Sequence, residues 1–130
     1  RTKKLFIEYL LKERTGIKLF DIGMGVCIFA REEKQLLLQI FSRHTVKSPL
    51  IEEFLNVIRE ELETDERIIS IDKDKQEELL HTCWVFAHGL STLIAIDFFK
   101  DSSDEFIERS LKKGPARLFY EYLSKYSKKQ

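Results

Sequence analysis

Residues that interrupt regular structure are scarce in this chain. Only two of its 130 residues are proline and five are glycine, whereas 43% are hydrophobic and 34% charged. So few helix-breaking residues among so many apolar ones are typical of a globular, helical domain and exclude a disordered segment. The length fits one domain and is sufficient to bury a hydrophobic core.

An excess of charge of one sign is also absent. Lysine and arginine together number 22, and so do aspartate and glutamate. A domain that binds nucleic acid by itself normally carries a basic excess, so this one is not expected to do so.

Long apolar runs are missing too. The longest, Cys83–Phe99, is interrupted by four polar residues and is shorter than the roughly 20 apolar residues of a membrane span. No secretory signal pattern is visible, so we expect a cytoplasmic protein without membrane contact. The interrupting residues are His88, Ser91, Thr92 and Asp97.

Catalytic and metal-binding patterns are lacking as well. Cys27 and Cys83 both lie in apolar runs, which predicts buried free thiols in a reducing compartment. His81 and His88 are seven residues apart, not the four that place two ligands on one metal. Cys83 and His88 point to different sides of a helix, so they do not form a nucleophile and its base. We expect no enzyme activity, no metal and no cofactor.

What is present is a series of six apolar-periodic segments, which predicts an all-α fold. Thr64–Lys73 is predicted to be extended or loosely helical, and a kink or short break is expected at Lys113–Pro115 because proline interrupts helices. Ser102 and Glu105 have capping-box spacing, and the tail from Ser124 is expected to fray. The predicted helices are Lys3–Glu13, Ile17–Glu33, Lys34–Arg43, Ser48–Glu63 (after a loop at His44–Lys47, with Ser48 as cap), Asp74–Phe99 and Ser103–Tyr126.

The second helix carries two glycines, Gly23 and Gly25, each costing about 1 kcal/mol against alanine in a helix. That cost predicts close packing against another helix or a ligand. The helix also has two apolar stripes, which places it between two packed surfaces. The stripes are Leu19, Ile22, Val26 and Phe29 on one side and Phe20, Met24 and Cys27 on the other.

The fifth helix is apolar on nearly every side from Cys83 to Ile96, so the chain is predicted to be organised around it. Its sides suggest three kinds of contact. Trp84 and His88 are predicted to face a cavity. Gly89 belongs to a stripe small enough for close contact with another helix, either the sixth helix of the same chain or a second copy. That stripe is Val85, Gly89, Thr92 and Ile96; the predicted core side is Cys83, Ala87, Leu90 and Ile94.

Three stretches resemble the effector-binding domain of TetR-family transcriptional regulators. Trp84–Leu90, with its Trp-x-x-x-His-Gly-Leu pattern and the small and aliphatic residues after it, resembles the penultimate helix of that domain. Phe29–Glu33, followed by Leu37–Leu38 and Ile40–Phe41, resembles an upstream helix end and a short helix. Ser102–Ile107 resembles the start of the last helix. The stretches occur in the family's order and span almost the whole chain.

The resemblance implies a TetR-like C-terminal helical bundle over residues 1–130 that senses a ligand and forms a homodimer. A small apolar or amphipathic effector is implied between helices two, four and five, and would shift the first helix and so the spacing of two headpieces on DNA in a TetR-like repressor. The implied ligand-binding residues are Phe20, Met24, Cys27, Phe41, Phe54, Ile58, Trp84 and His88. The implied dimer interface, on the last two helices, is formed by Val85, Gly89, Thr92, Ile96, Phe99, Phe119, Tyr122 and Tyr126.

One part of the family pattern has no counterpart here. The N-terminal helix-turn-helix headpiece that reads DNA is missing from the sequence, and the chain begins with arginine instead of methionine. We therefore expect a truncated chain in which operator DNA is contacted only through a missing headpiece. The alternative is a stand-alone helical dimerisation or interaction module with no ligand pocket.

Overall fold

Helices account for almost all of the chain in the computed structural model, which describes residues 2–43 and 49–128, with the backbone alone at 42 and 43. The predicted all-α class is confirmed, and the part described contains no β-sheet. The predicted loop His44–Lys47 and the Ser48 cap lie outside the described residues. The helices are α1 (Thr2–Leu11), α2 (Lys18–Glu32), α3 (Lys34–Arg43), α4 (Pro49–Leu62), α5 (Glu66–Ile69), α6 (Lys73–Ala95), α7 (Asp104–Leu111) and α8 (Arg117–Tyr126), with a π-helical turn, Lys112–Ala116, between the last two.

The central helix of the fold is α2. Every residue from Leu19 to Ala30 is buried, and α1, α3, α4, α6 and α7 all pack against this helix. The expectation that α2 lies between two packed surfaces is confirmed. The expectation that the chain is organised around the fifth predicted helix, now α6, is wrong. That helix is buried on one side only, at Cys83, Ala87, Leu90 and Ile94 as predicted.

Close packing between α1 and α2 depends on Gly25. A Cβ atom at this position would lie 2.2 Å from the carbonyl oxygen of Tyr9 and 3.0 Å from Cα of Leu10. These are backbone atoms, so no side-chain rotation relieves the overlap. The predicted close helix contact at Gly25 is confirmed, and its partner is α1.

A buried carboxylate organises the loop between these two helices. Asp21 is 4% exposed, and its oxygens accept hydrogen bonds from the backbone N–H groups of Arg14, Thr15 and Gly16 at 2.7–3.2 Å. The hydroxyl of Thr15 donates a further bond at 2.6 Å. In return, Nη1 of Arg14 donates to the carbonyl oxygen of Tyr9 at 3.1 Å, near the end of α1. The start of α2 and the end of α1 are therefore fastened through one short loop.

An aromatic cluster joins α1, α2 and α4. The ring centroid of Phe6 lies 4.8 Å from that of Phe29 and 4.6 Å from that of Phe54, and all three side chains are fully buried. Such edge-on and tilted ring pairs add to the stabilisation from apolar burial. This cluster therefore fastens α2 to two helices other than α6.

The last helical stretch changes its winding but does not break. Its cap is Ser103, whose hydroxyl accepts from the N–H of Phe106 at 3.2 Å, so the predicted Ser102–Glu105 capping box is wrong. The carbonyl of Ser102 instead accepts from Nη1 of Arg31. Around Pro115 the chain adopts the π turn, one residue wider than an α turn, which accommodates the proline ring.

The C-terminal end of α8 is tied back to the chain before α6. Ile71 and Ser127 form an isolated antiparallel bridge. The N–H of Asp72 donates to the carbonyl of Tyr126 at 3.0 Å, and that of Lys128 donates to the carbonyl of Ser70 at 2.6 Å. The predicted fraying from Ser124 is therefore wrong for the residues up to 128. The loosely helical expectation for Thr64–Lys73 is met by the short helix α5.

Candidate functional site

The residues predicted to bind a ligand do not converge on one cavity. Phe20, Ile58 and Trp84 line a space of about 30 Å³ between α2, α4 and α6. That volume is close to that of a single water molecule. Met24, Cys27 and Phe54 are buried in the core instead. The implied effector cavity between these helices is closed in this structure.

The remaining two, Phe41 and His88, form an aromatic cluster with Trp84 at the surface between α3 and α6. The His88 ring stacks parallel to that of Trp84 at 6.3 Å and contacts Phe41 edge-on at 4.2 Å. Partial burial against its neighbours lowers the pKa of His88 below its usual value. Because this side chain is exposed, its predicted position as a polar point inside a cavity is wrong.

The predicted dimer residues of α6 do lie on an open surface. Val85 is 70% exposed and Ile96 is 55% exposed. A Cβ atom at Gly89 would meet nothing within 4 Å, so none of the helices that the structure describes covers it. The same-chain alternative for this stripe is therefore wrong. The hydroxyl oxygen of Thr92 is buried and lacks a hydrogen-bond partner among the residues that the structure describes.

The predicted dimer residues further along the chain are buried or partly buried within the chain itself. Phe119 is 2% exposed and Tyr122 is 8% exposed, so their predicted place on an outer surface is wrong. The hydroxyl of Tyr122 donates to Oε2 of Glu78 at 2.9 Å and so fastens α8 to α6. Phe99 and Tyr126 are partly buried against the core.

Two residues extend the open surface of α6 beyond the prediction. Phe86 lies over Gly114, where a Cβ atom would come within 2.7 Å of the Phe86 ring. Phe98 follows the helix and is 66% exposed. We refer to Val85, Phe86, Gly89, Ile96 and Phe98 as the α6 outer face. The apolar composition of this helix was visible in the sequence, but which side lacks a partner was not.

A mostly apolar cavity lies elsewhere, between the start of α2 and the π turn, and is called the α2–α8 cleft. Its volume is about 360 Å³. Leu19, Phe20, Pro115 and Phe119 are the buried residues of its lining. The described residues that line it are Thr15, Ile17, Leu19, Phe20, Glu108, Lys112, Pro115, Ala116, Arg117, Phe119 and Tyr120. Sequence reasoning missed this cleft because it combines a loop, a helix start and a π turn that no single periodic pattern contains.

The charged groups of the cleft are unequally paired. Nζ of Lys112 lies 3.2 Å from Oε2 of Glu108, one turn away on the same helical stretch. Within the described part of the chain no carboxylate lies within ion-pairing distance of Arg117. The guanidinium of Arg117 is therefore the cation of this mostly apolar cleft that has no ion pair among the described residues.

A second, polar cleft on the opposite side of α2 offers less. It is lined by residues of α1, α2 and α7. Two of its pairs are internal: Nη1 of Arg31 contacts Oδ1 of Asp104 at 2.7 Å, and Tyr9 donates to Glu32 at 2.9 Å. These contacts brace α2 against its neighbours, and the cleft also carries a cation and a carboxylate, Lys12 and Glu8, without an ion pair among the described residues.

Reactive chemistry is not evident in the described residues. Burial raises the pKa of both thiols, Cys27 and Cys83, to about 12, so each stays protonated at neutral pH and is a poor nucleophile. No three His, Cys, Asp or Glu side chains of the described ranges are grouped to hold a metal ion. None of the helices described has the length and apolarity needed to cross a membrane.

Comparisons of the chain with protein-family models, with curated proteins and with solved structures each find no match. What the chain does is therefore inferred from its own residues and geometry.

Proposed function

We propose that this chain is the ligand-sensing and dimerisation domain of a TetR-like transcriptional regulator, acting as a homodimer. The observation that supports it best is the α6 outer face. It is a set of exposed apolar residues on and just after a helix whose sequence resembles the penultimate helix of that family's effector domain. In this proposal a small effector alters the DNA affinity of the full-length protein, and operator contact is made by a headpiece outside these 130 residues.

The α6 outer face suits a second copy of the same chain. Contiguous exposed apolar surface on a water-soluble domain marks an interaction site. Most homodimers are two-fold symmetric, so the same face meets itself, and α6 would cross the partner's α6. Gly89 lies within this face and allows close backbone approach, because it has no side chain. The chain has no net charge, so two copies do not repel each other overall.

Sedimentation equilibrium tests the dimer directly. Val85→Glu places a carboxylate on the face, where dimerisation would bury it without a partner. We expect twice the chain mass for the wild type and the single chain mass for Val85→Glu. Ile69→Glu is the matched control, because Ile69 is 45% exposed but lies on α5, away from the face. It should remain dimeric.

A monomeric wild type, or equal dissociation of the Val85 and Ile69 variants, would contradict the proposal. Circular dichroism of each variant separates lost dimerisation from lost folding. The proposal of a regulator also requires a DNA-binding headpiece encoded upstream of Arg1 in the parent gene. If no such headpiece is encoded there, the proposed regulator function is contradicted, but the proposed dimer is not.

A second candidate is a stand-alone helical dimerisation module without a ligand site. The small volume between α2, α4 and α6, about 30 Å³, favours it over a sensor with a core pocket. Native mass spectrometry distinguishes the two. A dimer carrying additional small-molecule mass supports the sensor, whereas a clean dimer that no amphipathic compound stabilises supports the module.

A further inference from the structure

We infer that the α2–α8 cleft binds an amphipathic anion, a molecule with one acidic headgroup on an apolar chain. The inference rests on the proposed function in one respect: the cleft would be the effector site of the proposed sensor, since the space between α2, α4 and α6 is too small for an effector. This site is not the one that the family resemblance implies, because the cleft lies between the start of α2 and the π turn.

The apolar part of the ligand is recognised by the floor and walls of the cleft. Leu19, Phe20 and Phe119 present buried apolar surface at its base. A volume of about 360 Å³ falls within the range of small-molecule sites, about 300–1,000 Å³, which are mostly apolar with a few polar groups for orientation. An apolar chain in this cleft would remove water from that surface.

The acidic headgroup is recognised by the cations of the cleft. Lys112 is compensated by Glu108 at 3.2 Å, whereas Arg117 has no carboxylate within ion-pairing distance in the described ranges. A guanidinium binds a carboxylate or phosphate through paired, charge-assisted hydrogen bonds. The cleft therefore favours an anion over a neutral or cationic amphiphile of the same length.

The cleft also contacts the loop that ends α1. Thr15 lines it, and the same residue donates two hydrogen bonds to Oδ1 of Asp21, at 2.7 Å from its N–H and 2.6 Å from its hydroxyl. Its neighbour Arg14 binds the carbonyl of Tyr9. A ligand that pressed on Thr15 would act on the end of α1, the helix that the family resemblance connects to the headpiece.

Isothermal titration calorimetry with decanoate, decanol and decyltrimethylammonium tests the inference on the whole chain. We expect decanoate to bind more tightly than the other two. Arg117→Gln should weaken decanoate on the order of tenfold, as for a lost charge-assisted hydrogen bond, and leave decanol unchanged. Lys113→Gln is the matched control: it loses the same charge from a neighbouring exposed residue that does not line the cleft. It should bind decanoate like the wild type.

Ala116→Trp fills the cleft and should abolish binding of both decanoate and decanol, with the fold checked by circular dichroism. The inference is overturned if Arg117→Gln and Lys113→Gln behave alike, if Arg117→Gln weakens decanol equally, or if folded Ala116→Trp still binds. Sedimentation of the same samples keeps the two proposals apart. If the chain is a dimer but decanoate does not bind as expected, the ligand inference is contradicted and the dimer proposal is not. If the chain is a monomer and decanoate binds as expected, the ligand inference is supported and the proposed regulator is contradicted.

Discussion

At the scale of single residues, Gly25 and Gly23 differ in what surrounds them. A Cβ atom at Gly25 would overlap the backbone of Tyr9 at 2.2 Å. At Gly23 it would meet the methyl groups of Leu111 at 3.3 Å, the flexible end of a side chain. The sequence showed both glycines in one helix, and their cost in helix propensity indicated close packing. It did not show which of them faces a backbone.

Gly25→Ala should lower the free energy of unfolding by about 3 kcal/mol or more, because α1 must move away from α2 to make room. Gly23→Ala should change it by less than about 1 kcal/mol, because the gain in helix propensity offsets a small rearrangement of Leu111. Urea denaturation at one protein concentration measures both. Equal effects of the two substitutions would contradict the close α1–α2 contact.

Sequence spacing predicted the buried side of α6 but not the positions of Phe119 and Asp21. The core side of α6 was predicted from three- and four-residue steps. Phe119 was misplaced because an aromatic residue suits a core and an interface equally well. The role of Asp21 was not predicted, since its partners are backbone N–H groups of a loop, and backbone groups leave no mark in a pattern of side chains.

At the scale of elements, the π turn sets the register of α8. The inward-facing residues Ile107, Leu111, Pro115 and Phe119 follow one another in steps of four. These three steps cover twelve residues, whereas three turns of an α-helix contain about eleven residues. The π turn takes up the additional residue, so Phe119 and Tyr122 still reach the core. This spacing was the signal in the sequence for a wide turn, although the proline alone predicted a break.

Deleting Pro115 should therefore leave a continuous α-helix with the same residues inward and a folded protein. Inserting one alanine after Gly114 should instead rotate Phe119 and Tyr122 by about 100° away from the core. We expect that insertion to cost about 4 kcal/mol or more from the lost apolar burial. Thermal unfolding followed by circular dichroism compares the two. Greater damage from the deletion than from the insertion would contradict the register argument.

At the scale of the whole molecule, burial of the two thiols links stability to alkaline pH. Cys27 and Cys83 have a pKa of about 12 in the folded chain, against an ordinary value of 9.0. Below pH 9 the thiols are protonated in both states and the stabilisation is complete. As pH rises from 9 toward 12 the unfolded chain releases these protons and the folded chain keeps them, so the free energy of unfolding falls.

Measuring urea denaturation between pH 8 and 11 tests this expectation. The double variant Cys27→Ala/Cys83→Ala should lose stability less steeply with pH than the wild type, whatever its stability at pH 8. Some slope should remain, because the pKa values of Tyr9 and Tyr122 are also raised, mainly by burial. Identical slopes for the variant and the wild type would show that the thiols contribute nothing.

The helical architecture could be predicted from the sequence more completely than the α2–α8 cleft could. Helix positions follow from local periodicity, so the all-α class and most helix bounds were predicted to within a few residues. The centre of the fold was misassigned, because α2 and α6 are both apolar and only tertiary packing decides which of them is enclosed. The α2–α8 cleft depends on the relative placement of distant segments, which one sequence without its structure does not supply.

The small bridge between Ile71 and Ser127 has a mechanical consequence for this architecture. It joins the C-terminal end of α8 to the residues just before α6, so sliding of one helix along the other would break these backbone hydrogen bonds. The opposite end of α8, at Arg117, adjoins the cleft. A ligand in the cleft would therefore meet the end of α8 that lies farthest from this bridge, while the bridge holds the Tyr126 end to the backbone of Asp72.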